Sequence, residues 1–240
     1  LLRVDQLARN LRAGVFPARL MPDAAQGLGY PFYNFYAALP YYLAALLHLA
    51  GVGVLWSIKL TQLAGFLLAG AAMYALACRM GARPEGALLA SAAYTFAPFH
   101  LVNVYIRGDS LSEFYAMALF PLILWALLRL QAQPGPGNAA LLAASYAMLV
   151  LTHNISAMTF SPLVGLWLLA LVLEQRGRKG WRVLGVGAVA LGLGLLLSAW
   201  FWAPALREQS LVQLQDQTTG FFHYSGHFRS ANLIQRRLLH

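Results

Sequence analysis

Charge is what this sequence has least of. Asp and Glu together number eight in 240 residues, and charged residues of either sign make up 10%. A soluble domain carries about a quarter. With 60% hydrophobic residues and a mean hydropathy of +0.60, the chain falls outside the soluble globular class and reads as an integral membrane protein. Cysteine is nearly absent too: the single Cys78 excludes an intrachain disulfide framework and any all-cysteine metal site. There is no phosphate-cradling glycine loop, nucleophile elbow or paired-cysteine site, and no internal repeat of fixed period. The net charge of +9 is spread among loops between apolar runs rather than gathered on a face with stacking aromatics. It reads as topological, and nucleic acid is not an expected partner. Leu1 is not an initiator methionine and no leader precedes it, so the chain reads as a fragment, with an equally arbitrary end at His240.

What the sequence does have is long apolar runs. Those at 58–79, 86–104, 111–130, 139–152, 156–175 and 183–203 predict an all-α, polytopic membrane bundle of about six spans. The run 139–152 is short for a crossing and ends in the polar turn Thr152-His153-Asn154. Ala37–Leu55 stays open: it reads as a span by composition, or as a helix lying in the interface by its aromatic start and its Pro40, Gly51 and Gly53. Residues 1–36 are not a span. Arg3, Asp5, Arg9, Arg12, Arg19 and Asp23 interrupt them, and Leu1–Ala13 reads as a short amphipathic helix. The division expected is an external first loop (1–36), a membrane domain (37–205), and an external loop or the start of a further external domain (206–240). Pro204 is expected to end the last helix.

Charge sets the orientation. The loop Glu174–Arg182 has four basic residues against one acid, and short loops with that bias stay cytoplasmic. Arg79, Arg83 and Arg129 fall on the same side. Asp109, His153 and the residues after Pro204 fall on the external side. Of the scarce acids, Asp109 and Glu113 lie together in Arg107-Gly108-Asp109-Ser110-Leu111-Ser112-Glu113, between two apolar runs. Ionisable groups at a membrane face are costly and read as functional by default; the alternative is an ordinary polar turn in which Arg107 and Asp109 neutralise each other.

The order of features from Tyr30 to Arg129 resembles the membrane half of GT-C glycosyltransferases: an aromatic-proline segment at Tyr30-Pro31, a surface helix over 40–52, a span, a short basic turn at Arg79–Gly86, a second span, and the acidic motif Arg107–Glu113. More closely, Gly27–Tyr42, Ala97-Pro98-Phe99-His100, Arg107–Glu113 and Leu151-Thr152-His153-Asn154 resemble an uncharacterised bacterial membrane family labelled 6-pyruvoyl-tetrahydropterin-synthase-related. The label does not carry pterin chemistry, because the clustered histidines of a soluble zinc synthase are missing. The GT-C resemblance implies transfer of a sugar from a polyprenyl-phosphate donor to an acceptor that the sequence leaves unidentified. It implies a multi-pass protein of a bacterial cytoplasmic membrane, with membrane lipid and the lipid-linked sugar as partners.

Such a transfer needs a carboxylate to take the acceptor's proton, and positive charge or a divalent cation near the departing phosphate. Candidates for the base are Asp109, Glu113 and Asp5. On a helix that starts near Ser110, Asp109 sits at the cap and Glu113 one turn on, which is also a plain capping arrangement. Asp5 reads equally as a salt-bridging surface residue. Arg107, or one of Arg9, Arg12 and Arg19, is suited to a lipid phosphate through its planar fork. Tyr30, His153 and Asn154 complete the expected substrate side. His153 reads first as a hydrogen-bonding turn residue and second as a catalyst. His223 and His227 have ligand spacing but no third partner, so no metal site is assigned. Two other functions compete. A transporter or flippase would place polar residues along several spans, where this chain has few (Gln62, Ser145, Ser198). An inert scaffold would keep the fold without the site. The aromatic segment 220–228 is expected to fold back over the cavity mouth.

Overall fold

The computed structural model describes residues 1–106, 110–175, 177–212, 219–220 and 223–227, with the backbone alone at 224 and 227. The chain divides into two compact units, Leu1–Phe201 and Trp202–His240. All regular elements among the described residues are helical, apart from one antiparallel bridge between Met21 and Tyr30.

Among the described residues four helices are long and apolar enough to cross a membrane: α4 (Val54–Arg79), α7 (Leu111–Ala132), α9 (Asn154–Glu174) and α10 (Arg178–Leu197). A fifth crossing is made if α5 (Pro84–Thr95) and the following helical stretch Pro98–Ile106 count as one bent span. In sequence order these are preceded by α1 (Leu2–Arg12), α2 (Phe32–Phe35) and α3 (Leu39–Leu49). The stretch after α5 is α6 (Pro98–Leu101) followed by a π-helical turn, Val102–Ile106. α8 (Pro136–Thr152) lies between α7 and α9, and α11 (Ala199–Arg207) and α12 (Tyr224–His227) follow α10.

α7 is the centre of the larger unit. Phe114, Leu119, Ile123, Leu127 and Leu130 are all but fully buried along it, so it is surrounded by protein on most faces. α9 and α10 instead expose Leu163, Leu166, Leu169, Leu193, Leu195 and Leu196, as helices facing lipid do. Between apolar helices in lipid there is no net hydrophobic drive, so close backbone approach at small residues does the holding. Gly65 of α4 sits against the Phe114 and Tyr115 rings, and Gly194 of α10 against the backbone of α8 at Ala143 and Ala147. The helices stop where the sequence says they should: Gly51 and Gly81 follow α3 and α4 with φ of 96° and 94°, a conformation open to glycine and costly elsewhere.

Three details differ from the sequence reading. The run 86–104 is not one straight helix: Ala97 is extended (ψ 139°) ahead of Pro98, because a proline ring pushes the preceding residue out of the helical region, and the two pieces bend by 41°. The run 183–203 is broken at Ser198, whose hydroxyl turns back to donate to the Gly194 and Leu195 carbonyls at 3.1 and 2.9 Å. Pro204 does not end the last helix but lies inside α11, where its missing N–H leaves one i→i−4 hydrogen bond unmade. α8, with 17 residues, spans about 26 Å, short of a typical hydrocarbon core of about 30 Å. α3, with 11 residues, is too short to cross.

The chain places residues 21–30 at one end of the larger unit, beside α1 and α3, and the start of α10 at the other. Single cysteines at 25 and 178, in a Cys78→Ser background, should therefore react with an impermeant thiol reagent from opposite sides of the membrane. Labelling of both from one side would overturn this arrangement.

Candidate functional site

The N-terminal segment forms a packed cap on the bundle. α1 buries Val4, Leu7 and Ala8 in one cluster with Tyr33, Tyr41, Tyr42, Ala44 and the start of α7 at Leu111, Phe114 and Tyr115. Its polar side organises the next loop. The buried Gln6 accepts from the Asp23 backbone N–H at 3.1 Å. The Asn10 amide donates to the Gln6 and Leu20 carbonyls, and Met21 and Tyr30 exchange both backbone hydrogen bonds at 2.8 and 3.1 Å. Arg9 bridges Asp5 (3.0 Å) and Asp23 (2.7 Å). An exposed pair of this kind is worth only about 0.3–0.5 kcal/mol, so it orients the loop more than it stabilises it.

Beside this cap lies a cavity of about 380 Å³, lined among others by Arg3, Tyr30, Phe32, Tyr41, Gln62 and Leu111. Its walls are mainly apolar. Its cation, Arg3, lies over the Phe32 ring at 4.6 Å and donates to the Tyr41 hydroxyl at 2.9 Å. The Tyr33 hydroxyl in turn donates to the Arg3 backbone carbonyl. The guanidinium is thus held by two aromatic side chains and its main chain by a third, which fixes its charge at the cavity.

From Phe32 the aromatic contacts continue outward. Phe32 stacks on Tyr36 at 4.8 Å, and Tyr36 meets the His153 ring edge-on at 5.9 Å. Tyr36 gathers the site's polar groups. Burial pushes its phenol up to about 12, with Tyr41 adding to the rise, Arg3 opposing it, a hydrogen bond to Ser112 also lowering it, and the Glu113 carboxylate adding a smaller increment. The Tyr33 phenol is pushed up as well, chiefly by burial. Both stay protonated at neutral pH and remain donors. Ser112, buried on the first turn of α7, donates to the Ala37 carbonyl at 3.1 Å, tying the turn that carries Glu113 to the segment that carries Tyr36. The Asn154 amide donates to the Phe35 carbonyl at 3.3 Å. His153 is 8% exposed. Its Nδ1 caps α9, accepting from the Ser156 backbone N–H at 3.3 Å and pairing with the Ser156 hydroxyl at 2.7 Å, which leaves the ring proton of the neutral form on Nε2.

The expected site residues therefore separate into groups. His153 and Asn154 meet the Phe35–Tyr36 segment, and Glu113 follows Ser112, which is tied to Ala37. Tyr30 lines the cavity. Asp5 and Arg9 are joined in an ion pair, with Arg9 also held by Asp23. Arg12 is exposed at the end of α1. Arg107 and Asp109 lie outside the described residues, as do residues 221, 222 and 228 of the aromatic segment and the side chains of Tyr224 and His227. Among the described residues no three His, Cys, Asp or Glu side chains are placed to hold a metal ion. The cavity cation, Arg3, is the residue that sequence reasoning missed. Its one signal was position: Arg3 and Leu7 stand four apart on an amphipathic helix, which sets the arginine beside the apolar stripe rather than opposite it.

Residues 33–230 match the family described as "6-pyruvoyl-tetrahydropterin synthase related domain; membrane protein". The chain belongs to that family. The matched region takes in Tyr36, Glu113 and His153 and leaves α1, with Arg3, outside it. The chain is also similar to an uncharacterized protein of Lactococcus lactis subsp. cremoris, 24% identical over 214 residues, covering 86% of this chain and 34% of that protein. It thus spans about a third of that relative's length. No solved structure matches the chain. As a member of this membrane family, the chain has its polar cluster and its apolar cavity at the same end of the bundle, opposite the basic loop that opens α10.

Proposed function

We propose that this chain is the membrane half of a GT-C type glycosyltransferase, which moves a sugar from a polyprenyl-phosphate donor to an acceptor at the external face of a bacterial cytoplasmic membrane. The observation that carries this reading is a line of ring contacts joining parts far apart in sequence: His153 at the head of α9 meets Tyr36, and Tyr36 stacks on Phe32, over which the Arg3 guanidinium lies. The same segment is tied through Ala37 to Ser112, which precedes Glu113 on the first turn of α7. In this reading the bundle crosses the bilayer about six times, by the four long helices, the bent pair and the short α8, with α3 lying along the surface.

The roles follow from the chemistry. The acceptor hydroxyl attacks the anomeric carbon, and its proton passes to a carboxylate, Glu113 or the neighbouring Asp109. The bond from that carbon to the phosphate oxygen breaks with its electron pair going to the phosphate. Arg3 meets the negative charge that develops there, in an apolar cavity where such an interaction is strengthened. The aromatic walls accept the first isoprene units of the lipid. Tyr36, held protonated by burial, and the Nε2–H of His153 orient sugar hydroxyls.

The test is transfer itself. The full-length protein in vesicles, given a polyprenyl-phosphate sugar labelled in the sugar and a membrane acceptor fraction, should release unlabelled polyprenyl phosphate as label moves to the acceptor. Label that changes leaflet while still attached to its lipid would mark a flippase and overturn the proposal.

A further inference from the structure

The opposite end of the bundle holds a second cavity, of about 340 Å³, lined by Arg79, Trp125, Arg129, Ala132, Gln133 and Asn138. It lies where the C-termini of α4 and α7 meet the N-terminus of α8. Its polar content is unlike that of the first cavity: two guanidiniums, one Trp and two amides. Arg129 packs over the Trp125 ring at 4.9 Å. The Asn138 amide donates to the Arg129 and Gln133 carbonyls at 3.3 and 2.9 Å, closing the α7–α8 turn beneath the cavity. Among the described residues neither Arg79 nor Arg129 is ion-paired to a carboxylate. Of the acids at this end, Glu174 accepts from the Gln131 amide at 2.9 Å, and Glu85 stands in the first turn of α5.

Arginines in the last turn of a helix have an ordinary use, offsetting the partial negative charge of the helix end. That accounts for one arginine per helix but not for a polar cavity between them. The two full charges outweigh the partial charge, about half a unit, at each C-terminus, and the first turn of α8 adds positive potential. The net field in the cavity favours an anion. Two planar forks with a Trp at the edge of an apolar bundle suit a phosphate ester at the depth of lipid headgroups.

We infer that this cavity binds the phosphate of an anionic phospholipid in the leaflet facing the basic end of the bundle. The ligand's phosphate sits between Arg79 and Arg129, its glycerol against Trp125, and its acyl chains run along the exposed face of α4. The site is separate from the one proposed for transfer, and its variants leave that machinery untouched.

Native mass spectrometry of the purified full-length protein, with phosphatidylglycerol or phosphatidylcholine added, reads the site directly. Phosphatidylglycerol should be retained preferentially. Arg79→Gln and Arg129→Gln should each weaken retention roughly fivefold, and the double variant more. Arg129→Lys should fall between, keeping charge and losing the fork. Arg178→Gln, which removes a charge from the same end but not from the cavity, should leave retention unchanged. Loss of equal size in Arg178→Gln would show bulk attraction and overturn the site, as would retention unaffected in the double variant. Displacement of the lipid by millimolar glycerol phosphate would overturn the lipid assignment in favour of a soluble phosphate ester. Unchanged size-exclusion profiles and Tm in the single variants separate these results from misfolding.

Discussion

Glu113→Gln is expected to lower sugar transfer by roughly 10²–10⁴-fold, the range set by loss of a positioned general base. The substitution keeps the shape of the side chain and removes its charge. Glu113 stands third in α7 after the cap residue Ser110, where a carboxylate also favours the helix N-terminus by about 0.3–1 kcal/mol. A purely structural Glu113 would therefore show a small fall in Tm and nearly full activity, whereas a base shows the reverse. Tyr36→Phe gives the companion measurement: it removes a phenol of the proposed site without touching the carboxylate, and should raise KM more than it lowers kcat. Asp109→Asn is the parallel variant for the other acid of the motif. If Glu113→Gln retains full transfer while Asp109→Asn abolishes it, the proton goes to Asp109 and Glu113 is a helix-end residue.

The second large effect concerns the fold. Gly194→Val should destabilise the protein by about 3 kcal/mol, at the upper end of ordinary overpacking. A Cβ at Gly194 would stand 2.8 Å from the Ala143 carbonyl oxygen, 3.1 Å from the Tyr146 ring and 3.3 Å from the Ala147 nitrogen. Two of those neighbours are backbone, so relief requires α8 and α10 to move apart rather than a side chain to turn. Gly192, two residues earlier on the same helix, would place its Cβ in open space, and Gly192→Val should change stability little. Unfolding of the two variants in one detergent, followed by circular dichroism, compares them. Equal stability would mean that α8 and α10 are held by something other than close backbone contact.

These two residues mark where the sequence was and was not legible. Glu113 stood out because acids are scarce and because it opens an apolar run, a signal that survives without any knowledge of the fold. Gly194 did not stand out, since Gly185, Gly187 and Gly192 share its helix and only packing distinguishes the glycine that meets a backbone from one that meets lipid. Similarly, the turn at Thr152–Asn154 was readable from its polarity. That His153 closes that turn by accepting from Ser156, and meets Tyr36, was not, because the contact joins residues more than a hundred positions apart. The bend before Pro98 was readable in principle from the proline, but an unbroken apolar run overrode that signal.

By itself the sequence determined the solvent of this protein and the class of its fold. Apolar runs long enough to cross a bilayer leave the backbone no partner but itself, which requires helices. Tertiary structure alone decided which polar groups meet. The cap of α1 on α3 puts Arg3 into a cavity, Ser112 ties the start of α7 to Ala37, and Tyr36 meets His153. Each of these depends on a distance between segments remote in the chain, and such distances are set by helix packing rather than by the hydropathy of any one segment.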